Sequence, residues 1–232
     1  MGGLLLYYRS FQGKKFVMAL TGVLLFLYVL FHMLGNLQLY IPGTPERPAG
    51  YYINRYAAFL HSTDAAPLLW TARVVLLVAV VLHILAATEL TIASWGARGG
   101  RYLVRRYREA GIAARTMVWS GPAIGAFVVF HILHLTTGSV PGVPFKELSP
   151  YENLVHGFKI PWISASYAVA VILLGLHFWH GLWSWFQTLG WSNPAHDRAR
   201  LIFARVMTAV VVLGDLSFPL AVLTGLVGGD VP

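Results

Sequence analysis

Histidine is the residue type in this sequence that most clearly could do chemistry. The chain has nine histidines and no cysteine. Without cysteine it forms no disulfide, thiolate-held zinc site, iron–sulfur cluster or c-type haem attachment. Imidazole remains, and it can serve as a metal ligand, as an axial ligand of haem iron or as a proton carrier. The spacing of the histidines therefore decides which chemistry is available.

An internal repeat separates some of these histidines from the rest. At an offset of 99 residues, segment 21–34 aligns with segment 120–133. Both segments begin with a hydroxyl residue and glycine, and both carry Phe-His followed by two apolar residues. The alignment matches His32 with His131. Both copies start from the same side of the membrane, so the repeat is parallel, about an axis along the membrane normal.

A second and weaker match, at an offset of 94 residues, aligns His83 with His177. Depth along each helix, at about 1.5 Å per residue, then separates the two matched sets. The first set lies about 11 Å from the outer ends of its helices, and the second about 20–24 Å. We therefore expect His32 to face His131 in the outer half of the membrane, and His83 to face His177 nearer the cytoplasm.

Two facing imidazoles at one depth can provide both axial ligands of a haem. No coordination position then stays open, which suits electron transfer. The two pairs predict two haems, and Arg73 is a candidate partner for a haem propionate, the alternative being that it snorkels to the surface. A proton or metal transporter is the main alternative, but it would usually carry several intramembrane carboxylates, and here Asp215 is the one that lies deep.

Membrane-spanning helices must position these histidines. Hydrophobic residues make up 57% of the chain and charged residues 11%, against roughly 25% charged in a soluble domain. Five segments reach the roughly 20 apolar residues that cross a bilayer. We predict an all-α integral membrane protein with a single domain over 1–232, in which four of the five helices form a parallel two-fold repeat that encloses two haems. The predicted spans are 16–39, 67–95, 116–137, 161–189 and 201–227.

Positive charge predicts the orientation. Twelve of the 17 lysines and arginines precede the first span, fill the connection at 98–115 or surround the fourth connection. The positive-inside rule places these segments in the cytoplasm, with the N-terminus inside and the C-terminus outside. The net charge of +8 does not indicate nucleic acid, because the basic residues form short clusters between apolar runs. Topology and anionic lipid explain these clusters, and docking of a cytoplasmic partner is the alternative.

Four motifs carry a family resemblance that covers nearly the whole chain. The motifs are Phe31–Leu37, Phe130–Gly138, Tyr151–Val155 and His177–Ser184. They resemble the membrane-anchor cytochrome b of succinate:quinone oxidoreductases, in the single-chain, dihaem form of bacterial succinate dehydrogenases and fumarate reductases. The resemblance implies His32 and His131 on the distal haem b, and His83 and His177 on the proximal haem b.

The resemblance also implies partners and a location. A flavoprotein subunit with FAD and an iron–sulfur subunit would dock on the cytoplasmic face of a bacterial cytoplasmic (inner) membrane. Electrons from succinate would pass through them to a membrane quinone, with menaquinone expected. This chain has no cysteine and no nucleotide-binding glycine motif, so it holds no complete catalytic site for succinate. A cytochrome b subunit of a hydrogenase or formate dehydrogenase is the alternative within redox chemistry.

The quinone site is the least defined part of this prediction. Some members of the family carry an acidic residue near the outer end of the second span, where this sequence reads His61-Ser-Thr-Asp64. For each candidate an ordinary role at the membrane interface is the alternative. The inner candidates are Ser10, Lys14 and Lys15, and the outer candidates are Tyr52, Arg55, His61 and Asp64.

Overall fold

The computed structural model describes residues 2–97, 112–191, 193–229 and 231. Within these residues all regular secondary structure is helical, with eight α-helices and two short 3-10 helices at Leu37–Tyr40 and Pro194–His196. The α-helices are α1 Gly2–Arg9, α2 Phe11–Asn36, α3 Tyr51–Leu60, α4 Ala66–Gly96, α5 Ile112–Leu135, α6 Pro150–Phe158, α7 Pro161–Thr188 and α8 Asp197–Leu223.

Five of these helices are long and apolar enough to cross a membrane: α2, α4, α5, α7 and α8. Over the described residues this confirms the prediction of an all-helical fold, and the five helices fit a protein that crosses the membrane several times. The helices α4 and α5 bury only 6% of their most apolar stretch inside the protein, whereas α7 buries 39%. Lipid is therefore the environment that suits the outer faces of α4 and α5.

Local interactions explain where two of the spans differ from the predicted bounds. The first membrane-spanning helix, α2, begins at Phe11 rather than 16, because the Ser10 hydroxyl caps it by accepting a hydrogen bond of 2.9 Å from the Gly13 amide. The last helix begins at Asp197 rather than 201, and Asp197 forms an ion pair with Arg200 in the first turn. It ends at Leu223 rather than 227, because Gly225 takes a left-handed conformation (φ +74°) just beyond it.

The packing of the long helices centres on α7. α2 packs along α4, α5 packs along α7, and α7 packs along α8. α2 also meets α7 and α8. One buried apolar cluster joins α2, α7 and α8, with Phe26 edge-on to Phe178 at 5.2 Å between ring centroids. The four helices that carry the matched histidines are thus α2, α4, α5 and α7, and α8 covers α7 from outside that set.

The two outer connections fold into short helices that pack on the ends of the spans. α3 packs against α6, and α6 packs against α5, α7 and α8. The Tyr151 amide donates a hydrogen bond of 3.0 Å to Asn54 Oδ1, which ties the two connections together. Of the predicted basic connection at 98–115, residues 98–111 lie outside the described residues and Arg115 lies in the first turn of α5. The sidedness of the chain stays a prediction.

Candidate cofactor site: two histidine pairs

The pair predicted for the outer half of the membrane, called the outer pair below, consists of His32 on α2 and His131 on α5. Their ring centroids lie 5.8 Å apart, with the rings nearly perpendicular at 84°. Tyr28 stacks on His32 with ring centroids 5.5 Å apart. The Nδ1 atom of His131 lies 3.2 Å from the hydroxyl of Tyr167 on α7. The structure therefore brings together the two histidines that repeat and depth place in the outer half.

The inner pair consists of His83 on α4 and His177 on α7. Their ring centroids lie 6.2 Å apart, at an angle of 58°. The Nδ1 atom of His83 lies 3.1 Å from both the Thr21 hydroxyl and the Met18 carbonyl oxygen of α2. The Nδ1 atom of His177 lies 3.4 Å from the Ser120 hydroxyl of α5. Each inner histidine thus contacts the preceding membrane-spanning helix, which is α2 for His83 and α5 for His177.

The hydrogen bonds around Thr21 determine which nitrogen of His83 carries the proton. The Thr21 hydroxyl donates its hydrogen to the Val17 carbonyl oxygen at 2.7 Å, so towards His83 it can act as an acceptor. The Met18 carbonyl oxygen can only accept. The Nδ1 atom of His83 must therefore be the donor to both. In the neutral ring this leaves a free lone pair on Nε2, which is the form that binds a metal.

The distances in both pairs fit haem iron between two imidazoles. Metal–imidazole bonds are about 2 Å long, so two imidazoles on opposite faces of one iron have ring centres about 6 Å apart. The observed centroid distances are 5.8 Å and 6.2 Å. A metal held by protein side chains alone would need more ligands, and no group of three or more His, Cys, Asp or Glu side chains converges within the described parts of the chain.

Glycines near the pairs have three different surroundings. At Gly22 on α2, a Cβ atom would lie 3.2 Å from Cε1 of His83, so glycine lets that ring approach the helix. At Gly175 a Cβ atom would lie 2.6 Å from the Val212 side chain, which marks close packing of α7 on α8. At Gly121, Gly125 and Gly181 a Cβ atom would meet nothing within 4 Å. These last glycines leave open space along α5 and α7.

Tyr167 is a site residue that the sequence reasoning missed. Its hydroxyl contacts Nδ1 of His131 and also Nδ1 of His134, the latter at 2.9 Å. His134 is only 3% exposed, and its Nε2 atom is buried with no hydrogen-bond partner. Its depth in the membrane, obtained by counting residues along the helix, is the signal that could have found it. Tyr167 lies about 9 Å from the start of α7 at Pro161, which is close to the depth of the outer pair.

Arg73 lies at the outer end of α4. Its guanidinium sits 4.9 Å above the ring of Trp70, and Nη2 lies 3.5 Å from Nε2 of His61. It also interacts electrostatically with Tyr28, the residue that stacks on His32. The contacts of Arg73 are thus with Trp70 and His61, and its pairing with a haem propionate stays a prediction.

Three of the four outer quinone candidates have a polar side chain as partner. Tyr52 accepts a hydrogen bond of 2.6 Å from Arg47, and this bond raises the pKa of the Arg47 guanidinium above its ordinary value. Arg55 donates a hydrogen bond of 2.7 Å to the Tyr51 hydroxyl. His61 contacts Arg73, and Asp64 is exposed. Arg55 also lines a cavity of about 630 Å³ between α3 and α6.

The inner quinone candidates have structural contacts of their own. Ser10 caps α2, as described above. The ammonium group of Lys14 lies 2.9 Å from the Glu89 carboxylate, and this ion pair ties the base of α2 to α4. Lys15 sits 5.0 Å above the ring of Phe11. A quinone role for these three residues stays a prediction.

Comparison of the chain with protein-family models, with curated protein sequences and with solved structures found no match.

Proposed function

We propose that this chain is the membrane-anchor cytochrome b subunit of a succinate:quinone oxidoreductase, with one haem b held by each histidine pair. The observation that carries the proposal is the presence of two histidine pairs, each contributed by two different spans, with ring centroids 5.8 Å and 6.2 Å apart. In this proposal His32 and His131 hold the distal haem, and His83 and His177 hold the proximal haem. A bis-histidine haem b supplies reversible one-electron transfer without an open coordination position.

The protein's part in that chemistry is to orient the ligands and fix their protons. Hydrogen bonds at Nδ1 hold a ligand ring in one orientation and leave Nε2 for the metal. Such contacts are present at His83, His131 and His177. His32 is held differently, by stacking on Tyr28. In the proposed setting the lipid and the apolar spans around the pairs would favour neutral imidazoles, which are the form that binds a metal.

The parallel two-fold repeat is part of this proposal, and the buried hydroxyls support it. Thr21 and Ser120 occupy matched positions in the two copies and are 8% and 0% exposed. Each contacts Nδ1 of the inner histidine on the next long helix, His83 and His177 respectively. Each hydroxyl lies eleven residues before an outer histidine, which separates the two pairs by about 16 Å along the helix axis.

The remaining parts of the proposed complex belong to other chains. A flavoprotein and an iron–sulfur subunit would deliver electrons at the cytoplasmic face, and a membrane quinone would receive them. The bacterial cytoplasmic membrane, the inside N-terminus and the outside C-terminus are proposed with them. The sequence has no cysteine for the clusters and no nucleotide-binding glycine motif for the flavin, so this proposal assigns both to those partners.

Two alternatives remain distinguishable. A histidine-based metal transporter is disfavoured. The matched histidines contact each other in two separate pairs, and no group of three or more metal-ligating side chains occurs among the described residues. The cytochrome b of a hydrogenase or formate dehydrogenase would hold haem in the same way, so the partner and the substrate must decide.

The deciding experiment has two stages. Purified chain is assayed for haem by its reduced-minus-oxidised spectrum and its haem content, and we expect b-type bands with two haems per chain. Absence of b-type haem would refute the proposal. The chain is then purified from its native membrane with its partners, where we expect a flavoprotein and succinate-dependent reduction of quinone. If the chain holds haem but quinone is reduced with hydrogen or formate as the electron donor, the result would instead favour a hydrogenase or formate dehydrogenase.

A further inference from the structure

The Tyr167 hydroxyl lies between two histidines of α5. It is 3.2 Å from Nδ1 of His131 and 2.9 Å from Nδ1 of His134. A phenol hydroxyl carries one proton, so it can donate to only one of the two nitrogens. The other nitrogen must carry its own proton and donate to the phenol oxygen.

The direction of these hydrogen bonds decides whether His131 can bind a metal. If Tyr167 donates to His131, the His131 proton is on Nε2, and that nitrogen has no lone pair for a metal. If Tyr167 donates to His134, then His131 donates from Nδ1 and its Nε2 lone pair is free. Ligation through Nε2 of His131 therefore requires His134 to be the acceptor of the Tyr167 hydroxyl.

We propose that Tyr167 is a positioning residue for His131 and that His134 orients the Tyr167 hydroxyl, so that His131 presents an unprotonated Nε2 to the distal cofactor. This inference rests on the proposed function. It also assigns a role to His134. The internal repeat gives no role to this residue, because it aligns His131 with His32 and no histidine of the first copy with His134.

The packing around this hydrogen-bonded chain keeps both partners in place. Tyr167 is 7% exposed and lies edge-on to Phe127 and Phe158, at 4.8 Å and 4.9 Å between ring centroids. His134 stacks on Phe130. A Cβ atom at Gly157 of α6 would lie 2.3 Å from Nε2 of His134, so the glycine makes room for that ring. These contacts hold the tyrosine and histidine rings without depending on the hydroxyl.

Tyr167→Phe tests the role of the hydroxyl while keeping the packed ring. A hydrogen bond from Nδ1 makes a histidine a more basic ligand, which favours oxidised iron. We expect Tyr167→Phe to shift the midpoint potential of one haem in the positive direction by about 59 mV, which is a tenfold change for a one-electron couple. The electron paramagnetic resonance signal of that haem should move, and the other haem should be unchanged. Tyr40→Phe is the matched control, since the Tyr40 hydroxyl binds Ser217 rather than a histidine.

Two variants of His134 test the acceptor. Asn at this position can present an amide oxygen near the place of Nδ1, whereas Leu cannot accept a hydrogen bond. We expect His134→Leu to lower the content of the same haem, because the Tyr167 hydroxyl is then free to donate to His131. His134→Asn should restore that haem.

The outcomes separate this inference from the proposed function. If the unaltered chain holds no haem, the proposed function fails. If it holds two haems and Tyr167→Phe changes neither potential nor either resonance signal, this inference alone fails. Equal shifts of both haems, or the same loss in His134→Leu and His134→Asn, would also overturn it.

Discussion

Replacing the paired histidines singly and in twos tests whether each pair holds one cofactor. Each of the four single histidine-to-alanine variants is expected to hold one haem instead of two. A double variant within one pair, His32→Ala with His131→Ala, is also expected to hold one, because both changes remove the same site. A double variant across the pairs, His32→Ala with His83→Ala, is expected to hold none.

The size of the expected effect follows from the separation of the pairs. Thr21 contacts His83 and lies eleven residues before His32 on α2, which places the pairs about 16 Å apart. Substitutions more than about 7–10 Å apart without shared partners add to within about 0.5 kcal/mol. Loss of a ligand from one pair should therefore change the affinity of the other pair by no more than about twofold.

The assay is the molar ratio of haem to protein in detergent-purified variants, with circular dichroism as the check that each variant is folded. His196→Ala is the matched control, because this histidine is exposed and lies on a short 3-10 helix outside both pairs. It should keep two haems. The reasoning is refuted if the cross-pair double variant keeps one haem, or if His32→Ala and His131→Ala lose spectroscopically different haems.

Three further tests probe the contacts that support the histidine pairs and the bundle. Ser120→Ala should shift the proximal haem potential more than Thr21→Ala does, because in the latter a backbone carbonyl 3.1 Å away still accepts from the histidine; equal shifts in a redox titration would contradict this. Gly157→Ala places a Cβ atom 2.3 Å from a buried histidine and should destabilise the protein by about 1–3 kcal/mol in thermal unfolding, whereas Gly96→Ala, with open space around it, should not. Lys14→Gln breaks an ion pair whose acidic side chain is 41% exposed, so the loss should stay below about 1 kcal/mol and vanish at high salt; a larger, salt-independent loss would indicate another role.

The sequence predicts the number and approximate place of the spans because a bilayer imposes a simple length rule on apolar segments. It predicts helix ends less well, because they depend on caps and turns. Ser10 shows this, because its hydroxyl caps α2 and the helix therefore begins five residues before the predicted start at 16. The last helix shows it again, because one left-handed glycine, Gly225, ends it before the apolar run is complete.

The sequence singles out the paired histidines because two periodic signals agree, the repeat offset and the depth along a helix. It does not reveal the groups that surround them. Tyr167 contacts His131 from another helix, and no local pattern joins the two residues. Lys14 and Glu89 are likewise far apart in the sequence and adjacent in space. Such contacts arise from the packing of whole helices, which periodicity within one helix does not specify.

Each histidine pair joins one helix of the first half of the bundle, α2 or α4, to one helix of the second half, α5 or α7. Neither half contains a complete pair. Any ligand that binds between the members of a pair therefore favours the assembled halves over the separated ones, and a ligand at a hundred times its dissociation constant adds about 2.7 kcal/mol to that assembly. With the proposed haems between the pairs, we therefore expect the supply of haem and the stability of the bundle to change together.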